Sequence, residues 1–361
     1  VGTDHEYLTD YLSMAQALGY DGHMTAFIGD EITPLAYGHM VTWPLNADPS
    51  KPDHGAYDYT YLPEDDVLNP DKDMVQSMTE IIAGVDQGNA GTQVFSIAHI
   101  TDKALGNFSI AQLVSSPAFG VSPLSTYADP VRFRLPSNTH SAGNFQPPYP
   151  LGSSEMITMD FTSMGLTIST FPDILEHLLH TSLPTYFNFL NLGKVASATG
   201  DSDTHAQVRE PLGIPRNFVA SSVDPRDGVG TFNQIDPEEI AQNVNAGRMI
   251  VTNGIFIDAR LKSAANPTGV SVGGTISGNG EVTLVMEIRS NEYFDWDTVE
   301  VYANTEPVPF KDDLSGPTDL GAQDFHSPSK GHIAKYRMTP LAVFRKGDAG
   351  ETALNQTVAG G

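Results

Sequence analysis

The chain predicts an α/β fold, a parallel sheet or barrel over residues 1–254, followed by a small antiparallel β-sandwich over 255–361. Three observations carry this expectation. Short β-prone runs alternate with stretches of helical periodicity through the first part. Helical periodicity then disappears beyond about residue 255, where short strands are separated by turn residues such as Ser277-Gly278-Asn279-Gly280. Two long stretches rich in Pro, Gly, Ser or Asp, 46–72 and 117–154, interrupt the first part. Loops of that length inside a compact domain usually carry function or stay unstructured.

Element by element, Leu8, Leu12, Ala15 and Leu18 recur at helical spacing, and Gly19 supplies the stop. Strands follow over 25–28 and 39–45, a helix over 73–83, a strand over 92–98, and a helix starting near Ser109. A strand is expected over 156–161, helices over 173–180 and 184–192, and a strand over 195–199. A helix over 237–246, closed by Gly247, leads into a strand over 248–252. The second part is expected to hold strands over 256–261, 282–288, 299–301 and 334–337.

Composition narrows the function classes. The chain has 361 residues, 40% of them hydrophobic, enough for a sizeable core and for two domains. Forty-four acidic residues against nineteen basic ones give a formal charge of −25, which argues against nucleic-acid binding because a phosphate backbone needs a basic footprint. No apolar run approaches the ~20 residues of a membrane span. With no cysteine, disulfides and thiolate ligands are excluded, and any metal must be held by His, Asp or Glu. The chain opens on Val1 almost directly before a candidate ligand, so its own N-terminus is expected to lie further upstream. A periplasmic or extracellular setting is the expectation for localisation, and a homo-oligomer is left open.

Metal-ligand residue types recur at or near the ends of these strands. Asp203 and His205 stand at i and i+2 just past the run 195–199, a spacing that puts both side chains on one face if the extended geometry continues. His5 closes Thr3-Asp4-His5, Glu31 closes Gly29-Asp30-Glu31 with His39 eight residues on, and His99 follows Ser96-Ile97-Ala98. Singly, each is an ordinary capping or structural residue. Together, at converging strand ends, they amount to a mixed imidazole–carboxylate set that suits zinc, manganese or iron, with Glu31 able to bridge two ions.

This ordered set resembles the PHP (polymerase and histidinol phosphatase) metallohydrolases. Asp4-His5 is similar to that family's second motif, Glu31 and Gly38-His39 to its Glu and the following Gly-His, His99 to its His after an apolar strand, and Asp203-Thr204-His205 to its closing motif. Within the family the CehA/McbA-like branch is nearest, through 29–39, 200–205, Gly213-Ile214-Pro215-Arg216-Asn217-Phe218-Val219 and 246–254. The resemblance spans roughly residues 1–304. The family's first motif, His-x-His, is expected before Val1, and Ile100 stands where relatives commonly have Pro.

The resemblance implies a distorted (β/α) barrel and two or three divalent ions held by His5, Glu31, His39, His99, Asp203 and His205. It implies metal-dependent hydrolysis of a phosphoester or a carboxyl or carbamate ester by a metal-activated water. Asp203 and His205 are then the catalytic candidates, with Asp203 or a neighbouring His moving the proton, and Arg216 meets the substrate. The competing expectation is a non-catalytic extracellular binding or assembly protein that retains the fold. A sugar-active reading rests on Tyr57, Tyr59 and Tyr61. His177 and His180 read as packing residues of a helix, His140 as a residue of the long polar loop with a lid role as the lesser alternative, and His23 and His54 as solvated loop residues.

Overall fold

A computed structural model of the protein describes residues 1–33, 40–59, 78–97, 153–158, 183, 187, 197–202, 215–277, 280–290, 296–305, 308–309 and 336–346. Its main feature is a six-stranded sheet whose spatial order follows the chain: β1 (Gly2–His5), β2 (Ile28–Ile32), β3 (Met40–Trp43), β4 (Val94–Ile97), β5 (Ser153–Thr158) and β6 (Ser197–Asp201). β1 and β2 pair in parallel, β3 is antiparallel to both β2 and β4, and β4, β5 and β6 are parallel. Five strands therefore run one way and β3 alone runs the other. The C-terminal ends of the five and the start of β3 share one edge of the sheet.

This corrects the predicted α/β fold with its PHP-type distorted (β/α) barrel. A βα barrel needs every strand parallel, each returning through a helix. The reversed β3 puts two antiparallel ladders inside the sheet, and no ladder among the described residues closes β6 onto β1. The expected β-sandwich is corrected as well. Among the described residues the later strands form small separate sheets: β7 (Arg216–Val219) with β8 (Met249–Thr252), then the three-stranded order β10–β9–β11, then two two-stranded ladders. Here β9 is Phe256–Ser263, β10 is Asn266–Ser271 and β11 is Val282–Arg289. β12 (Thr298–Val301) pairs with β15 (Ala342–Arg345), and β13 (Val308–Pro309) with β14 (Tyr336–Arg337).

Three α-helices are described, and two of them end in the same way. α1 (Tyr11–Ala17) starts at Asp10, whose carboxylate accepts the amides of Leu12 and Ser13 at 3.1 Å each. It stops at Gly19 (φ 74°), with Gly19 N–H donating to Gln16 O at 3.0 Å and Tyr20 N–H to Ala15 O at 2.8 Å. This is the Schellman pattern, which satisfies carbonyls that the last helical turn leaves open. α2 spans Met78–Gly88. α3 (Pro237–Asn245) starts at Asp236 with Pro at its first turn, and repeats the Schellman pattern at Gly247 (φ 70°). Gly247 N–H reaches Val244 O at 2.9 Å and Arg248 N–H reaches Asn243 O at 2.8 Å.

α3 builds the core. Val94, Ala241, Val244 and Met249 are buried together, and Trp43, Val219 and Val251 pack against them. At about 1.5–3 kcal/mol for each large apolar side chain buried, this cluster fixes β3 and β4 to α3 and the β7–β8 pair. Asn245 Nδ2 adds a 3.0 Å bond to Gln93 O just before β4. α2 contributes Ile81, Ile82 and Val85 to burial. The turn after β10 packs on the exit of α3: a Cβ on Gly273 (φ 77°) would stand 2.5 Å from Ala246 O and 2.8 Å from Arg248 N. No described helix is long and apolar enough to cross a membrane.

Candidate functional site

The parallel register of β1 and β2 sets Asp4 opposite Asp30 and His5 opposite Glu31. Alternation along the strands then puts His5 and Glu31 on one face of the sheet, and Asp4 and Asp30 on the other. His5 Nε2 lies 3.8 Å from Glu31 Oε2, with the His5 side chain 42% exposed and the Glu31 side chain 7% exposed. Two ligands of one tetrahedral zinc are separated by roughly 3.4 Å, given metal–ligand distances near 2.1 Å. The pair is thus within about half an ångström of sharing an ion. One partner is buried and the other opens to solvent.

Asp4 is occupied. Thr9 donates a short hydroxyl bond to it, and the Tyr11 hydroxyl donates at 2.9 Å. Tyr11 reaches Asp4 by lying across Gly2, where a Cβ would overlap its ring. The Tyr11 phenol is held above its usual range, by burial first and then by the bond to Asp4.

Asp30 is the opposite case. It is fully buried, and no donor among the described residues reaches either carboxylate oxygen in good hydrogen-bond geometry, the amides of Tyr57 and Glu6 lying nearby. Burial is the largest influence on it and the charge of Glu6 the next. Together they push the acid up to about 7, against the pull of the nearby Tyr57 and Glu6 amides. Its cross-strand neighbour Thr42 is also fully buried with an unpaired hydroxyl among the described residues. The face of the sheet opposite His5 and Glu31 therefore carries a buried acid for which the protonated form is favoured.

The exit from β1 is unusually constrained. Glu6 (φ 47°), Asp53 (φ 49°) and His54 (φ 56°) are non-glycine residues in the left-handed region. Glu6 turns its carboxylate onto Thr33, accepting from the amide at 2.8 Å and from the hydroxyl in a shorter bond, while the Tyr59 hydroxyl donates to it at 3.4 Å. His54 Nδ1 lies 3.1 Å from Leu8 O, an acceptor only. Nδ1 therefore carries the proton, and Nε2 accepts from the Tyr7 hydroxyl at 2.9 Å. His54 is half-buried and bonded at both nitrogens, not the solvated loop residue expected.

At the far side of the sheet, Asn217 of β7 ties down the end of β6. Its Oδ1 accepts from Gly200 N at 2.8 Å, and its Nδ2 donates to Gly200 O at 3.0 Å and to Asp201 Oδ1 at 3.2 Å. One side-chain amide thus serves both backbone groups of Gly200, as a neighbouring strand would. Arg216 opens β7 opposite Thr252, its Nε buried with no partner among the described residues. The hydroxyls of Ser96 and Thr199 are buried and unpaired in the same sense.

Of the predicted ligands, the structure brings His5 and Glu31 together. His39, His99, Asp203 and His205 lie outside the described residues. Sequence reasoning passed over Asp30 and Asn217. An acid set between Ile28 and Ile32 in a buried strand was the available signal for Asp30; for Asn217 no local signal exists, because its partner is seventeen residues away. Among the described residues no group of three or more His, Asp or Glu is placed to hold a metal. No family model matches the chain, and neither a curated protein nor a solved structure matches it.

Proposed function

We propose that the chain is a metal-dependent hydrolase of esters, with its centre at the shared strand edge around His5 and Glu31. The observation that carries the reading is the 3.8 Å approach of His5 Nε2 to Glu31 Oε2. An imidazole and a buried carboxylate at that separation are a donor pair suited to zinc, manganese or iron. In the chain, His39 stands one residue before β3, His99 two after β4, and Asp203 and His205 two and four after β6. The described strand ends next to all four belong to the same edge.

When bound, a divalent ion supplies a water acidified to near neutrality and polarises an ester oxygen. The remaining work belongs to the chain. Glu31, buried, is held at a fixed position by its strand, and His5, half-open, faces incoming substrate. Asp203 and His205 are assigned the proton movement, since a carboxylate and an imidazole two residues apart can take a proton from water and return it to the leaving group. Asn217 restrains the end of β6, from which those two residues follow. Arg216 is assigned to the substrate's developing negative charge.

Metal content per chain, measured by elemental mass spectrometry on natively purified protein, is the first test. A panel of p-nitrophenyl phosphate, p-nitrophenyl acetate and a naphthyl carbamate follows. Two or more zinc, manganese or iron ions, with hydrolysis lost on chelation and restored by metal, is the expected result. Glu31→Gln is expected to lower activity by about a hundredfold or more, at least the roughly 10–100-fold that loss of a residue merely supporting a ligand costs. A metal-free protein that hydrolyses none of the three after reconstitution overturns the reading.

A further inference from the structure

We infer that the cleft between α1, the segment entering β2 and the start of α3 is a binding site for a small aromatic ammonium ligand. The cleft is open to solvent, offers about 190 Å³, and is lined by Leu12, Met24, Phe27, Ile235 and Pro237 among others, with Asp21 as its one charged lining residue. A cavity of about 150 Å³ already accommodates a benzene-sized ring, so a single ring with a short amine substituent fits this space. Phe27 is pre-positioned by stacking on Trp43, with ring centroids 6.2 Å apart and planes 20° apart. An aromatic side chain held in place offers a face both to a ring and to a cation.

The sign of the ligand follows from charge. Asp21 is half-buried and has no hydrogen-bond or ion-pair partner among the described residues, and no basic residue lines the cleft. Pro237 sits in a helix start that carries Asp236, Glu238 and Glu239, three carboxylates that outweigh the roughly half-unit positive end of the helix dipole. The chain as a whole, at −25, draws cations and repels anions. Gln16 and Asn233 add neutral polar groups at the lining, the usual combination of apolar body and few polar anchors in ligand sites. Phe27 precedes β2, about 13 Å of strand from Glu31, so the cleft is separate from the strand edge that carries His5 and does not depend on the hydrolase reading.

The test is ¹³C-methyl methionine NMR on the full chain, with Met24 assigned by substitution and titrated with benzylammonium and, separately, benzoate. Met24 is expected to shift saturably with benzylammonium while Met14, exposed and outside the cleft, stays in place. Benzoate is expected to bind at least about tenfold more weakly, and Asp21→Asn to weaken benzylammonium by about tenfold, the loss of one charge-assisted contact. Gln16→Trp, a change at an exposed helix position that fills the cleft, is expected to abolish the shift with the thermal midpoint unchanged. No saturable shift, equal response to benzoate, or a shift that survives Gln16→Trp overturns the assignment.

Discussion

A carboxylic acid with both oxygens sealed from water, as in Asp30, is tolerated most cheaply with its proton on. Its folded value near 7 lies above the ordinary 3.8. Between these values the folded state holds more protons than the unfolded one, so stability falls as pH rises through this window. Holding the acid near 7 instead of 3.8 corresponds to roughly 4 kcal/mol as an upper bound. Urea melts of chelator-treated protein at pH 5 and pH 8 are expected to show wild type losing a few kcal/mol. Asp30→Asn, which cannot ionise, should show a markedly smaller loss and exceed wild type at pH 8. Equal pH slopes in the two proteins would falsify this account of Asp30. The chelator matters, because a cation at the neighbouring Glu31 would itself favour the ionised acid.

At the scale of elements, glycines and one asparagine give separable outcomes. Gly19 has a left-handed φ of 74° and open space around its missing Cβ, so Gly19→Ala tests the backbone cost alone, about 1 kcal/mol by thermal or urea melt. Gly273→Ala is expected to cost more than Gly19→Ala, because its Cβ would meet backbone atoms at 2.5–2.8 Å that cannot swing aside. Asn217→Ala is expected to cost about 1–3 kcal/mol, through two Gly200 backbone groups left unpaired. Asn217→Asp should cost at least as much, since a carboxylate cannot donate to Gly200 O and adds a charge beside Asp201.

Helix ends were the most legible part of the chain: Gly19 and Gly247 mark the stops of α1 and α3, because the left-handed residue that closes a Schellman turn is nearly always glycine. Most described strands fall within a few residues of the expected β-prone runs, since alternation and β-branching are local properties. Strand direction is not local. Nothing in Met40–Trp43 distinguishes a strand running with its neighbours from one running against them, and on that one reversal the barrel expectation fails. The site divides in the same way. His5 and Glu31 were readable as residue types at strand ends, whereas their pairing depends on the β1–β2 register, and the Asn217 clamp depends on a contact between elements. β7, β10, β13 and β15 were not anticipated, β10 because Asn266, Pro267 and Gly269 read as turn.

For the whole molecule, a formal charge of −25 sets a testable background. Self-repulsion of like charges destabilises the compact state and is screened with a Debye length falling from about 30 Å at 0.01 M to 3 Å at 1 M salt. The thermal midpoint in sodium chloride is therefore expected to rise by several degrees between 10 mM and 500 mM. A flat response would mean that the acidic residues are compensated within the fold. Binding at the cleft should carry the opposite salt dependence, weakening as sodium chloride rises, because there the same charge attracts the ligand.

The contact of Gly273 with the turn 246–248 bears on how the chain can be taken apart. A break at Gly254 looks natural, since no described ladder joins a strand before it to one after it. Yet the exit of α3, whose helix anchors the core, is roofed by the turn that follows β10. A fragment ending at residue 254 would keep every partner in the six-stranded sheet and still expose backbone that the intact chain covers. Hydrogen exchange at Gly247 and Arg248 would register that loss before any change in secondary structure, which makes those two amides the reporters of choice for judging any shortened form of the protein.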